Sequence, residues 1–258
     1  YILSQLPAYQ ANLQTIADRL AVQSGLDTMP SLDKVVTKWR EELDIQSVAL
    51  RAVGSISSVG SVLFMAILYA GFLFSEVGSF REKTLKALHK DADQALGVVA
   101  EVNKRIGVYL TVKTVINITL ALVSFAIMWL MDIDSALFWA IMIGLLNYIP
   151  YVGSAIGVAF PVMLALAQFG SLSWAVLAFV LLMAVQTFVG NVLEPMMIGK
   201  SVNLSSFVVL VALVFWTTLW GLPGAILSVP LTSVLMIILA ASKGTRPLAI
   251  MLSADGDV

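Results

Sequence analysis

The chain has 258 residues, 59% of them hydrophobic and 12% charged, with 15 basic and 16 acidic side chains and a net charge of -1. Soluble domains carry about 25% charged residues, so this composition excludes an ordinary water-facing domain, and the near-neutral balance gives no basic footprint for a nucleic acid. The absence of cysteine excludes disulfides, thiolate metal sites and cysteine nucleophiles.

Residues 1–23 place Leu6, Tyr9, Leu13, Ile16 and Leu20 at helical spacing. Gly25 to Ser31, with Pro30, reads as a turn, and Leu32, Val35, Trp39 and Leu43 begin a second amphipathic helix. Together 1–55 form an amphipathic helical region that lies on the membrane surface or packs on other helices. The chain starts at Tyr1 without a signal peptide, and the expectation is that further N-terminal spans precede it.

The first spanning segment is 56–75, since about 20 apolar residues cross a bilayer core. Residues 76–105 carry six Lys/Arg and five acids, with Phe80, Leu88, Ala92, Ala95, Val99 and Val102 at three-to-four spacing. This predicts a long amphipathic helix outside the bilayer. Residues 106–242 form the core: within 106–241 there are two basic residues, Lys113 and Lys200, and three acids, Asp132, Asp134 and Glu194.

The core divides into spans at 106–131, 135–149, 151–169, 172–193, 204–220 and 222–241, with a polar loop from Glu194 to Asn203. Segment 135–149 is short enough to re-enter instead of crossing. Residues 243–258 form a tail that reads as disordered. With 76–105 in the cytoplasm, every short loop holding a basic residue falls inside, which follows the positive-inside rule. Asp132, Asp134, Gly170, Gly221 and residues 1–55 then fall outside. The fold class is all-α: a polytopic transmembrane helical bundle with long amphipathic extramembrane helices and hairpins broken by Pro and Gly.

Ionisable and amide groups inside a membrane are costly and mark function. Lys113 sits about two turns into its span and either snorkels to the interface or faces the bundle and pairs with an acid or an anionic substrate. Asn117 lies four residues on, along the same stripe. Pro150 frees a backbone carbonyl, and Asn147 is placed to partner it. Gly153 and Gly157 form a GxxxG that permits close helix approach. Gln186, Asn191 and Glu194 follow at the end of segment 172–193; Glu194 is an interface charge or a proton or cation site. Gly221, Pro223, Gly224 and Pro230 punctuate the last hairpin. The paired, Pro/Gly-broken segments 135–169 and 204–241 suggest repeated transporter halves, although ordinary tight turns use the same residues.

Gly199-Lys200-Ser201 is not a phosphate-binding loop, because position 194 is glutamate and no strand precedes it. The single histidine, His89, lies in the charged stretch, away from any serine-hydrolase arrangement. No enzyme and no cofactor is expected.

Asn147-Tyr-Ile-Pro150-Tyr-Val-Gly153 resembles a signature of the autoinducer-2 exporter-like family of bacterial permeases. Tyr109-Leu110 with Lys113-Thr114, the stretch Glu194-Pro195 through Gly199, Lys200, Val202 and Leu204, and Gly221, Gly224, Ser228, Val229 and Pro230 are similar to further motifs of that family, in order and spacing. The resemblance runs from about Glu76 to Ala241. It implies a multi-pass transporter of the bacterial cytoplasmic (inner) membrane, exporting the quorum-sensing signal autoinducer-2 or exchanging sodium (or lithium) for protons. It also allows a homo-oligomer and carries Lys113, Asn147, Pro150, Gln186, Glu194 and Lys200 over as motif residues.

The expected function is export of a small polar solute by alternating access, with Asn147, Gln186 and Asn191 as hydrogen-bonding groups. The alternatives are an antiporter using Glu194 and a non-transporting scaffold that docks a partner on 76–105. The expected partners are the lipid bilayer, the solute and, for the antiporter, protons or sodium.

Overall fold

The computed structural model describes residues 2–24, 45–89, 92–198 and 203–257. The expected turn at 25–31, the helix from Leu32 to Leu43, and Gly199 and Lys200 lie outside the described residues. The described residues are almost wholly helical, with one isolated antiparallel bridge, Leu204 to Ser253.

In chain order the helices are α1 Ile2–Ser24, α2 Ile45–Leu88, α3 Ala92–Leu130, α4 Ala136–Leu146, α5 Val152–Phe169, α6 Leu172–Phe188, α7 Glu194–Ile198, α8 Ser206–Trp220, α9 Leu222–Ala240 and α10 Arg246–Leu252. A π turn, Val189–Leu193, joins α6 to α7 without a break. Two compact units result. One contains residues 1–17 and 98–258, the other residues 18–97.

In the smaller unit, α2 runs through the expected span and into the charged stretch, so 76–105 is not a helix of its own. Its first part finishes α2 and its last part opens α3, with the break at His89, whose φ is 46°. The apolar spacing misses this break because Leu88 to Ala92 is a four-residue step, the same step that one helical turn makes. The exposed pairs Lys83–Glu76 and Lys86–Glu82 sit along the charged end of α2. Apolar side chains on its preceding turns, among them Phe64, Ile67, Phe72 and Phe74, are exposed.

The larger unit holds the polar residues of interest. Its main core joins α3, α4, α5 and α6 through Ile116, Leu120, Met128, Ile143, Val158, Ala165, Ala178 and Leu182. A second core gathers Tyr109, Leu204, Val229, Met236 and Ala249. Glu101 pairs with Arg105 at the start of α3; that hydrogen bond and charge hold the Glu101 carboxyl below its usual range.

Four helical runs are long and apolar enough to cross a membrane among the described residues: α3, α5, Leu172–Met197 and α9. Helix α4 has 11 residues and rises roughly 16 Å, about half of a 30 Å hydrocarbon core. Large apolar side chains cover the outside, including Trp129, Leu137, Met163, Leu177 and Val214. With so few charges, this is a surface for lipid, and the protein is a helical membrane bundle.

Two sequence readings are corrected here. The polar loop expected from Glu194 is helical to Ile198. Pro195 lacks the N–H that would reach back to Asn191, which makes it look like a terminator. The π turn before it absorbs the strain: the Glu194 N–H reaches five residues back, to the Val189 carbonyl. The C-terminal tail, expected to be disordered, folds as α10 and then pairs with the entry to α8. The Ser205 N–H donates to Leu252 O at 3.1 Å and the Ala254 N–H to Asn203 O at 3.2 Å.

The first half of α1 fastens the loops at one end of α3 and α5. Tyr9 donates to Asp134, and the Asn12 amide donates to Ala167 O (3.1 Å) and Gln168 O (2.7 Å). Gln168 ties the same loops together, accepting from the Asp134 N–H and donating to Asp132 O.

Candidate functional site

Helix α3 presents Lys113 and Asn117 on one stripe, four residues apart, and both are buried. Lys113 does not snorkel. Its ammonium pairs with Glu194, 81 positions along the chain, with the lysine side chain 9% and the glutamate side chain 26% exposed. An unpaired charge at this depth would carry a desolvation penalty of several kcal/mol, so each partner keeps the other in place.

One turn further along α3, three amides form a chain. The Gln186 amide donates to Asn147 Oδ1 at 2.8 Å, and the Asn147 amide donates to Asn117 Oδ1 at 2.8 Å. The chain ends on Asn117 Nδ2, which is buried and has no hydrogen-bond partner among the described residues. Three side chains, on α3, on α6 and just past the end of α4, thus leave one buried donor atom unused. Beside them Thr114 Oγ1 and the Tyr148 hydroxyl share a hydrogen bond of 2.7 Å.

The π turn explains how Gln186 and Glu194 serve the same face. In a regular helix, eight residues at about 100° each would leave them about 80° apart. A π turn accommodates one extra residue, so the pair behaves as if seven apart, about 20° from one stripe. Gln186 then meets the amide chain while Glu194 meets Lys113. Asn191, inside the π turn, is exposed and joins neither group. The sequence groups it with Asn147 and Gln186 as a hydrogen-bonding residue; in the structure it stands on the exposed side of the π turn.

Pro150 sits in the turn between α4 and α5 and is half-buried. The carbonyl it frees is that of Leu146, and the Ile149 N–H takes it at 2.8 Å. The expected partner, Asn147, is instead spent on Asn117 and Gln186. Gly153 is required by close approach: a Cβ there would lie 1.7 Å from Leu146 O. Gly157 packs on Ile143 at ordinary distance.

Gly144 is a residue the sequence reading missed. A Cβ on it would meet Asn117 O at 3.0 Å and Ala121 Cβ at 3.1 Å, so it lets α4 cross α3 closely enough for Asn147 to reach Asn117. No local signal marks it, because a lone glycine in an apolar helix is common in membranes.

The α8–α9 hairpin repeats the glycine device. A Cβ on Gly224 would lie 1.9 Å from Trp216 O. Gly221 turns the chain with φ 64°, and Pro223 opens α9, while Pro230 is buried within it. This hairpin has polar groups of its own: Trp216 Nε1 donates to Thr232 Oγ1 at 3.0 Å and Ser233 is buried, all three missed in the sequence, and Ser228, named there only as a motif residue, is buried too. Among the described residues no cluster of three or more His, Cys, Asp or Glu is arranged to hold a metal.

A helical membrane bundle whose buried lysine and three interior amides gather at neighbouring turns of α3, with Glu194 against the lysine, defines a membrane protein with an internal polar site. The chain belongs to the AI-2E transporter family: residues 1–244 match the profile described as AI-2E family transporter. It is 31% identical over 239 residues to a Borreliella burgdorferi protein named "Putative transport protein", an alignment covering 92% of this chain and 65% of that one. It is 30% identical over 251 residues to Escherichia coli "Putative transport protein YhhT", covering 97% of this chain and 71% of the relative. It is 28% identical over 251 residues to the E. coli "AI-2 transport protein TqsA", covering 96% and 72%. The chain thus spans 65% of the length of the Borreliella relative. The resemblance read from the motifs is borne out.

Proposed function

We propose that the protein exports a small polar solute, AI-2 as in the name of the E. coli relative, across the bacterial cytoplasmic membrane by alternating access. The observation that carries this reading is the buried amide chain Gln186–Asn147–Asn117 with its free donor. Neutral amides donate and accept at once, which suits a ligand rich in hydroxyl and carbonyl oxygens. The hairpins 135–169 and 204–241 are the moving parts in this reading, since each turns on a glycine pressed against a backbone carbonyl.

Sodium/proton antiport ranks second. Glu194 is the carboxylate it would need, but that group is already matched by the Lys113 ammonium, which competes with any bound cation.

The test is flux from proteoliposomes containing the purified protein. We expect efflux of radiolabelled AI-2 that falls at least tenfold in Asn147→Ala, without a response from a pH dye under a sodium gradient. Unchanged AI-2 efflux in that variant would overturn the amide chain as the transport site. A sodium-driven dye response lost in Glu194→Gln would move the function to antiport.

A further inference from the structure

We propose that Lys113 is the anion-binding group of the transport site and that Glu194 is an exchangeable counter-ion, displaced when the solute's own oxyanion arrives. The solute would then be a small hydroxylated anion instead of a neutral polyol. This inference rests on the solute-export reading and names the charge class of what is carried.

Three observations support it. The first is the asymmetry of the pair. The Lys113 side chain is 9% exposed and that of Glu194 26% exposed, so the carboxylate is the more accessible partner of the two. A buried lysine left alone is strongly destabilising. Whatever releases Glu194 must therefore put another anion in its place.

The second is the unused donor. Asn117 Nδ2 lies one helical turn from Lys113 on the same stripe of α3, buried and unpartnered among the described residues. Side chains four apart on a helix are neighbours, with Cβ atoms about 5–6 Å apart. An oxyanion on Lys113 has a second oxygen, or an adjacent hydroxyl, to offer Asn117. Glu194 alone leaves that donor unpaired. An oxygen of the bound solute would satisfy it.

The third is the backbone that carries Glu194. The carboxylate follows directly on the π turn Val189–Leu193 and precedes Pro195. Here the regular hydrogen-bond ladder is interrupted, and π turns of this kind concentrate at functional positions. Gly190 within it is exposed, with nothing within 4 Å of where a Cβ would stand. A return of this segment to regular α-helix would turn Glu194 by about 100° away from Lys113.

The probes are erythronate, a four-carbon hydroxy acid, and erythritol, the neutral tetraol of matching size. Binding of each to the detergent-purified full chain is measured by calorimetry, with AI-2 efflux from vesicles as the separate readout for the export reading. We expect erythronate to bind at least about tenfold more tightly than erythritol, the advantage one charge-assisted hydrogen bond confers. Glu194→Gln removes the internal competitor and should tighten erythronate binding by about tenfold or more. Lys113→Gln should abolish the preference for the anion.

Because Lys113→Gln strands a buried carboxylate, the double variant Lys113→Gln/Glu194→Gln serves as the folded reference. It should elute as the native protein does and bind both probes alike. A merely structural ion pair predicts the opposite for Glu194→Gln: weaker binding of both probes together with lost stability. That result, equal affinity for the two probes, or binding of neither while AI-2 efflux persists would overturn the proposal and leave export standing. Loss of AI-2 efflux in the wild-type vesicles would overturn the export reading itself.

Discussion

The two hairpins of the larger unit, α4–α5 and α8–α9, solve the same backbone problem and then diverge. In each, a glycine lets one helix start against a carbonyl of the other: Gly153 against Leu146 O and Gly224 against Trp216 O, at 1.7 and 1.9 Å from a notional Cβ. The difference lies in where the polar side chains look. Asn147, at the tip of α4–α5, bonds outward to Asn117 on α3 and Gln186 on α6. The α8–α9 polar groups bond inward: Trp216 to Thr232, Thr232 to Ser228 O, and Ser228 to Ala225 O. One hairpin is wired into a site and the other is self-contained, so equal backbone geometry does not imply equal roles.

The largest effect should come from breaking what the hairpins share. Gly153→Ala and Gly224→Ala each place a Cβ less than 2 Å from a backbone carbonyl, which no rotamer change relieves. Each should cost more than about 3 kcal/mol, at or beyond the usual overpacking range, and appear as loss of monodisperse protein on size-exclusion chromatography. Survival of either variant with native thermal unfolding would show that the close approach is not needed.

The next test separates the hairpins. Asn147→Leu strands Asn117 Oδ1 and a Gln186 donor in the interior, with a destabilisation of about 2 kcal/mol and loss of solute flux. Thr232→Val leaves only Trp216 Nε1 without a partner, on a half-buried side chain, and should cost about 1 kcal/mol with flux retained within about twofold. Equal loss of flux in the two variants would erase the distinction between a wired and a self-contained hairpin.

The sequence made part of this comparison legible. Lys113 and Asn117 are four apart on one long apolar helix, so their shared stripe follows from helical geometry alone. Pro150 with Gly153, and Pro223 with Gly224, mark the two turns by composition. The partnership of Lys113 with Glu194 crosses 81 positions, and no local pattern encodes which buried lysine meets which acid. The π turn is hidden for a related reason: Val189-Gly-Asn-Val-Leu193 has an unremarkable composition, and the extra residue shows only as a change of face between Gln186 and Glu194. Glu194 therefore reads as part of a loop, and Asn191 as part of the site. The tail misleads in the other direction. Ser253 to Asp257 is small and polar, yet Asn203 holds it with an amide that donates to Asp255 and to Asp257 O at 2.8 Å.

The smallest expected effect concerns how each hairpin is held from outside itself. The α5 end of the first is tied to α1, where the Asn12 amide donates to the carbonyls of Ala167 and Gln168. These are among the last carbonyls of α5 and have no partner further along the helix. The entry to the second is tied to the tail through Asn203. Asn12→Ala removes two bonds from a half-buried side chain and should lower stability by about 1 kcal/mol, a shift of roughly 2–4 °C in the unfolding midpoint for a chain of this size. Asn203→Ala acts where water can replace the lost partners, so its effect should stay within about 0.5 kcal/mol. If α1 is only an appendage, the two variants will melt alike. If it clamps the hairpin that carries Asn147, Asn12→Ala will melt earlier, and it alone will also raise the rate at which a cysteine placed at exposed Tyr151 reacts with a thiol reagent, in a protein that has no other cysteine.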